Sequence, residues 1–192
     1  MLIRMKLTIV ENTPEAVKFS IDGVSHNFVN ALRRIMMARV DAFAIDKVTF
    51  YENSASIFDE YIAHRIGQIP ILTPKSYKAE DEVMLSLEAK GPSTVYSGDI
   101  KSSDKEIGVA NEKIPVMKLA EGQSLRLDAK ATVGNGARSA KFQPGLAAYK
   151  NTGEGSFEFY VESFGQMPAI EIVRRALGII SNDIKSISKE LK

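Results

Sequence analysis

An aliphatic stripe near the end of the chain constrains the fold more than any other feature. Aliphatic residues recur there at alternating spacings of three and four: Ile170, Val173, Leu177, Ile180, Ile184, Ile187 and Leu191. Two apolar positions per heptad predict an amphipathic helix of about 24 residues, roughly 36 Å long, that pairs with other helices. Pro168 suits its first turn. We expect part of the stripe to pack across the sheet of its own domain and the rest to be buried by another chain.

Residues 25–40 predict a second amphipathic helix, with Ser25 as its N-cap. Its broad apolar face includes Leu32 and Ile35. The opposite face carries three residues suited to binding a partner: Asn30, Arg33 and Arg34. Adjacent arginines offer fork-shaped donors that suit carboxylates, phosphates or backbone carbonyls. The alternative is a solvated helix face that binds nothing specific.

Composition narrows the functional classes. The chain has 192 residues, of which 44% are apolar and 26% charged, as in a globular protein of one domain or two small ones. A net charge of only +1 argues against phosphate binding over the whole surface. The chain has no cysteine, which excludes disulfides, thiolate metal ligands and a cysteine nucleophile. Without a long apolar run or a signal peptide, a cytoplasmic protein is expected.

Apolar–polar alternation predicts the strands of the first third. Residues 5–10 and Ala16–Asp22 predict a β-hairpin that leads into the helix at 25–40. Residues 42–52 predict a third strand, and residues 58–68 a short helix that ends before Pro70.

The middle of the chain, residues 82–133, predicts a series of strands in an antiparallel layer with one solvated face. Residues 134–141 (GNGARSAK) lack the ending of a P-loop, so an Asn-Gly turn is expected there, as in a hairpin. Residues 150–155 (KNTGEG) predict a flexible connection, followed by a strand over residues 157–161.

No catalytic constellation is evident. The only histidines are His26 and His64, and no serine stands in a G-x-S-x-G elbow. Asp59, Glu60 and His64 could share part of a helical face, but acids at a helix start more commonly stabilise its N-terminus than bind a metal. We therefore expect no active site, metal or cofactor on this chain.

Several segments together resemble the alpha-like subunit of multisubunit RNA polymerases, most closely the archaeal branch of that family. The resemblance covers nearly the whole chain, in order, and is carried by five motifs: residues 30–34 (NALRR), 42–46 (AFAID), 59–70 (DEYIAHRIGQIP), 137–143 (ARSAKFQ) and 161–165 (VESFG). With no cysteine, the chain is similar to the shorter form of that family, which lacks an iron-sulfur domain.

The resemblance implies an α+β fold in which a discontinuous dimerisation domain, a sheet plus two helices over residues 1–45 and 156–192, is interrupted by a β-rich insert over residues 46–155. It implies a non-catalytic assembly subunit of DNA-directed RNA polymerase, with no membrane contact and no specific DNA contact of its own. Its partners would be subunit L as a heterodimer, the small subunits N and P, and the second-largest catalytic subunit. The expected interface is Asn30, Leu32, Arg33, Arg34, Ile35, Ile170, Val173, Leu177, Ile180, Ile184, Ile187 and Leu191.

For residues 59–70, the resemblance implies either a packing role or a contact with a small subunit. Two other classes stay open: a nucleic-acid-binding module using Arg33, Arg34 and Arg39, and an unrecognised hydrolase. Neither accounts for the aliphatic stripe.

Overall fold

The computed structural model describes residues 5–191 and has an α+β fold, as the sequence predicts. Its regular elements are β1 (Lys6–Asn12), β2 (Ala16–Asp22), α1 (His26–Ala38), β3 (Asp41–Asn53), α2 (Asp59–Gly67), β4 (Glu82–Lys90), β5 (Ser93–Tyr96), β6 (Lys101–Ser102), β7 (Pro115–Leu119), β8 (Ser124–Asn135), β9 (Gly145–Gly153), β10 (Ser156–Ser163) and α3 (Ala169–Glu190). The described residues divide into two compact units. We call residues 42–134 the insert unit, and the described residues before and after them the frame unit.

The frame unit is an antiparallel sheet of order β1-β2-β10-β9 with helices on one face. Its apolar face is anchored by Phe19 and Phe159, whose rings stack with centroids 4.9 Å apart. Helix α1 contacts β9 and α3, and α3 contacts β10 and β2. The chain therefore closes this unit from both of its ends, with β2 and β10 at the centre of the sheet.

The insert unit has its own core, which packs side chains from β3, α2 and both of its sheets. Its larger sheet has the order β3-β8-β4-β6, and β5 pairs with β7 in a two-stranded sheet. Strand β4 alternates exposed and buried residues, so its sheet has one solvated face. The large, fully buried side chains of this core include Phe43, Ile45, Ile62, Ile66, Ile71 and Leu85.

The division between the units falls elsewhere than the sequence places it. The insert was expected over residues 46–155, whereas the units divide after Asp41 and after Gly134. The second shift is the larger, because β9 pairs with β10 along its length and so belongs to the frame sheet. Residues 1–4 and 192 of the expected dimerisation domain lie outside the described residues.

Two connections also differ from expectation. Most of residues 150–155 continue strand β9, and only the turn at 154–155 separates it from β10. The Asn-Gly turn does follow β8, but it closes no hairpin, since β8 and β9 belong to different sheets.

In the described part of the chain, no helix has the length and hydropathy to cross a bilayer.

Candidate partner-binding surface

Helix α1 begins where Ser25 caps it, because the Ser25 hydroxyl accepts a hydrogen bond from the Phe28 amide at 3.3 Å. Its inward face is built from Val29, Leu32 and Met36, each at most 1% exposed. Leu32 was assigned to the partner surface from the sequence, but it faces the interior of its own unit. Because the side of α1 that carries Leu32 is buried, only the opposite side of the helix is available to a partner.

The outward side of α1 carries the remaining predicted residues. The Arg33 guanidinium donates to the Asn30 side-chain oxygen at 3.3 Å, one turn earlier. Arg34 is exposed, and Ile35 is half-buried. Beside them lies a mainly apolar cavity of about 350 Å³, which we call the α1 groove. Its lining consists of Ala31, Arg34, Ile35, Ala38, Arg39 and Ala137.

The far wall of the α1 groove comes from the segment after β8. The Ala137 amide donates to the Ala38 carbonyl at 2.9 Å, which ties this segment to the end of α1. Gly136 allows the approach, because a Cβ atom there would lie 2.1 Å from the Met37 carbonyl oxygen. Phe142 is fully buried, and the Arg138 guanidinium lies over its ring at 5.0 Å. The ARSAKF segment thus supports α1.

An ion pair that the sequence analysis did not identify joins α1 to α3. The Arg39 guanidinium contacts both carboxylate oxygens of Asp183, at 2.5 and 3.1 Å. The hydrogen bond raises the pKa of Arg39 and lowers the pKa of Asp183. The pair spans 144 positions, so no local motif could have revealed it. Because Arg39 is engaged by a carboxylate, it is poorly placed for the phosphate-binding role in the nucleic-acid alternative.

Helix α3 is more deeply buried in its first half than in its second. Its sheet-facing side consists of Ala169, Ile172, Val173 and Ala176. Val173 therefore faces the interior, although the sequence assigned it to the partner surface. Small residues at positions 169 and 176 let the helix approach the sheet closely, and alanine gives little signal in an aliphatic repeat.

The other residues of the aliphatic stripe become more accessible towards the C-terminus of α3. Ile170, Leu177 and Ile180 are half-buried. The last three members are exposed to 59%, 59% and 83%: Ile184, Ile187 and Leu191. The frame unit thus covers the beginning of the stripe and leaves its last two turns in water.

In the insert unit, the start of α2 presents a smaller exposed patch. Phe58 and Tyr61 are 73% and 68% exposed, beside a cavity of about 330 Å³ that extends along residues 53–60. The Asp59 carboxylate accepts a hydrogen bond from the Asn53 amide at 2.7 Å, in the first turn of the helix. Among residues 5–191, no three His, Cys, Asp or Glu side chains come close enough together to hold a metal ion.

Comparison with known proteins finds similarity to RNA polymerase subunits. Residues 48–147 match the family described as the RNA polymerase Rpb3/RpoA insert domain. The DNA-directed RNA polymerase subunit Rpo3 of Thermococcus kodakarensis is 47% identical over 153 residues, which are 76% of this chain and 59% of that protein. The Rpo3 subunit of Methanocaldococcus jannaschii is 43% identical over 166 residues, 86% of this chain and 85% of that protein. The chain thus spans about three-fifths of the Thermococcus protein and most of the Methanocaldococcus one.

The discontinuous frame unit, the β-rich insert and the family match together define the class, an alpha-like RNA polymerase chain with an Rpb3/RpoA-type insert. Within that class, the chain belongs to the archaeal DNA-directed RNA polymerase subunit Rpo3 family. This confirms the family that the sequence motifs suggested.

Proposed function

We propose that the chain is a non-catalytic assembly subunit of DNA-directed RNA polymerase that pairs with subunit L. The observation that carries this proposal is the exposed end of the aliphatic stripe, where Ile184, Ile187 and Leu191 are 59%, 59% and 83% exposed. A contiguous apolar surface of this kind is a liability in water and is typical of an interaction site. Pairing removes it from solvent, and a permanent interface of this type is core-like and commonly buries more than about 2,000 Å².

The outward face of α1 is proposed to dock the second-largest catalytic subunit. Arg34 flanks the α1 groove, and Arg33 is held by Asn30 with part of its guanidinium free for a further acceptor. A groove with an apolar lining and arginines at its edge suits an aliphatic side chain of the partner with a carboxylate or carbonyl beside it.

The small subunits N and P are proposed to bind elsewhere on the chain, with the exposed Phe58 and Tyr61 of the insert unit as the best-supported contact. The proposed role requires no cofactor and no specific DNA contact. Without cysteine, the chain has no thiolate ligands for an iron-sulfur cluster. The complex would act in the cytoplasm, away from the membrane.

Co-expression with subunit L from the same genome, followed by mass measurement of the purified complex, tests the pairing. Leu177→Asp and Ile180→Asp should each abolish co-purification, since a carboxylate would be buried in an apolar interface. The matched control is Asn182→Asp, which places the same carboxylate at an exposed position of the same helix, on the side away from the stripe. Retained pairing in both stripe variants would contradict the assignment of the interface to α3.

Docking of the catalytic subunit is tested separately. Replacing Arg33 and Arg34 with alanine should leave the pair with subunit L intact and weaken its capture of the second-largest subunit. An unchanged yield of the larger complex would remove α1 from the docking surface.

A further inference from the structure

The segment that ends β8 contains a chemically reactive pair of residues. Among the eight asparagines of the chain, only Asn135 is followed by glycine. Asparagine is a thermolabile residue, because the next backbone nitrogen can attack its side-chain amide carbon. Glycine has no side chain to obstruct that attack. The pair Asn135–Gly136 is therefore the position at which this chain is most prone to lose an amide group.

The reaction at this pair has two steps. In the first, the Gly136 backbone nitrogen bonds to Cγ of Asn135, the bond from Cγ to the side-chain nitrogen breaks, and that nitrogen leaves as ammonia with the Gly136 amide proton. In the second, water hydrolyses one of the two carbonyl–nitrogen bonds of the resulting succinimide ring. The product is either aspartate or isoaspartate, whose main chain is one methylene longer. The reaction consumes water and needs no other reactant.

Hydrogen bonds in the frame unit oppose the first step. The Asn135 side-chain amide donates to the Asp41 carboxylate at 3.1 Å. The Asn135 carbonyl oxygen accepts from the amides of Arg138 and Ser139, at 3.0 and 3.3 Å. Separate partners thus hold the side chain that is attacked and the carbonyl of the peptide bond that must rotate.

Helix α1 adds a steric restraint on the nucleophile. Gly136 lies against the end of α1, where a Cβ atom would be 2.1 Å from the Met37 carbonyl oxygen. The next amide, that of Ala137, donates to the Ala38 carbonyl. The Gly136 nitrogen can reach the side chain before it only if this planar peptide unit rotates. Because the unit is packed against α1, its rotation requires the turn and the helix to separate.

We propose that Asn135 is a deamidation site controlled by α1. The packed helix keeps the asparagine intact, and separation of α1 from the turn at residues 135–138 allows its conversion to aspartate and isoaspartate. Elements of a folded protein open locally, and a reaction restricted to the open form follows the population of that form. The rate at Asn135 therefore reports how often α1 separates from this turn. This inference does not depend on the proposed pairing with subunit L.

Conversion prevents the α1 groove from re-forming as before. Either product replaces the amide that donates to Asp41 by a carboxylate, which has no hydrogen to donate. Isoaspartate also lengthens the main chain directly before Gly136, where one added carbon atom would already clash with α1. Carboxyl methyltransferases that use S-adenosylmethionine recognise isoaspartyl residues, so an enzyme of that class is expected to act on the converted chain.

The first experiment compares conversion of the full chain at mildly alkaline pH when folded and when dissolved in denaturant. Recombinant isoaspartyl methyltransferase with labelled S-adenosylmethionine detects the product. Peptide mapping assigns it, since Asp22 also precedes a glycine and can form isoaspartate. Conversion at Asn135 should be at least about tenfold slower in the folded chain, as expected when only an open form reacts. Equal rates in the two states would overturn the proposal.

Two matched truncations distinguish separation of α1 from unfolding elsewhere. Leu32→Ala shortens a buried side chain of α1, and Leu85→Ala one in the core of the insert unit. Leu32→Ala should accelerate conversion in the folded chain by about tenfold or more, because loss of a buried leucine raises the open population. Leu32→Val makes the same comparison should Leu32→Ala fail to fold. Leu85→Ala should leave the rate unchanged, and equal acceleration by both truncations would contradict control by α1.

The effect of conversion is measured on the product itself. The converted chain gains a negative charge and so can be separated from the unmodified chain by ion exchange. It should unfold at a lower denaturant concentration than the unmodified chain, because the turn no longer fits against α1. The control is Asn135→Ser, whose midpoint should not change during the same incubation, since it has no amide to lose. Identical midpoints for converted and unmodified chains would show that the groove tolerates the product and would contradict this part of the proposal.

Discussion

The ion pair between Arg39 and Asp183 links the two helices of the frame unit. It is bidentate but partly exposed, with side-chain exposures of 49% and 44%, so its contribution to stability is small. It joins the end of α1 to the second half of α3 across 144 positions of the sequence. Sequence alone offers no means of pairing these two residues.

The pH dependence of this pair follows from the lowered pKa of Asp183. A carboxylate whose pKa is depressed on folding contributes stability above its unfolded pKa, and that contribution disappears as the pH falls through the folded pKa. Asp183→Asn should therefore lower the melting temperature slightly at neutral pH, and the difference from the unmodified chain should shrink below about pH 4. Thermal unfolding at several pH values measures this. Arg39→Gln should have the same effect, and the double variant no additional one, which a double-mutant cycle checks.

Gly136 is a second position where one residue controls the surface. In Gly136→Ala, the Cβ atom would lie 2.1 Å from the Met37 carbonyl oxygen, so the backbone of the α1 groove must shift. We expect a loss of about 1–3 kcal/mol in the free energy of unfolding, the range for overpacking. The matched control is Gly178→Ala in α3, where nothing lies within 4 Å of the new atom and stability should rise by up to about 1 kcal/mol. Equal effects in denaturant unfolding would rule out the steric explanation.

At the scale of elements, the sequence predicts what depends on periodicity and misses what depends on pairing. Helix α1 and strand β2 lie where their patterns place them, since amphipathic periods and the Ser25 cap are local signals. Strand β9 was not predicted, and its polar end was expected to be a flexible connection, because its residues are held by cross-strand hydrogen bonds to β10, not by their own propensity. The burial of Val173 was also not predicted, because the small residues beside it define the sheet-facing side of α3.

The exposed half of α3 should be neutral to the stability of the isolated chain. Ile184→Ala and Ile187→Ala each remove aliphatic surface that is already 59% exposed, so each should change the free energy of unfolding by less than about 0.5 kcal/mol. Ile172→Ala, at a position 1% exposed, should cost about 2–5 kcal/mol. Denaturant unfolding of the free chain measures both. A large cost at Ile184 and Ile187 would mean that the chain buries its own stripe in solution.

At the scale of the whole molecule, each of the two units has its own core. The frame unit is closed by segments from both ends of the chain, and its helix layer is incomplete along β1 and the end of α3. The insert unit is continuous in sequence and surrounds a core with contributions from α2 and both of its sheets. The exposed aliphatic end of α3 therefore lies in the frame unit, and the core of the insert unit is built from residues of that unit.

This division predicts that residues 42–134 fold when expressed alone. A continuous segment of this size with its own hydrophobic core meets the usual requirements of a domain. We expect a cooperative unfolding transition in denaturant and a monomeric mass. Leu85→Ala, at a position 1% exposed in this core, should destabilise the fragment by about 2–5 kcal/mol, while Ser86→Ala on the solvated face of β4 should leave it nearly unchanged. A fragment that unfolds without a transition, or responds equally to both substitutions, would show that the insert needs the frame to fold.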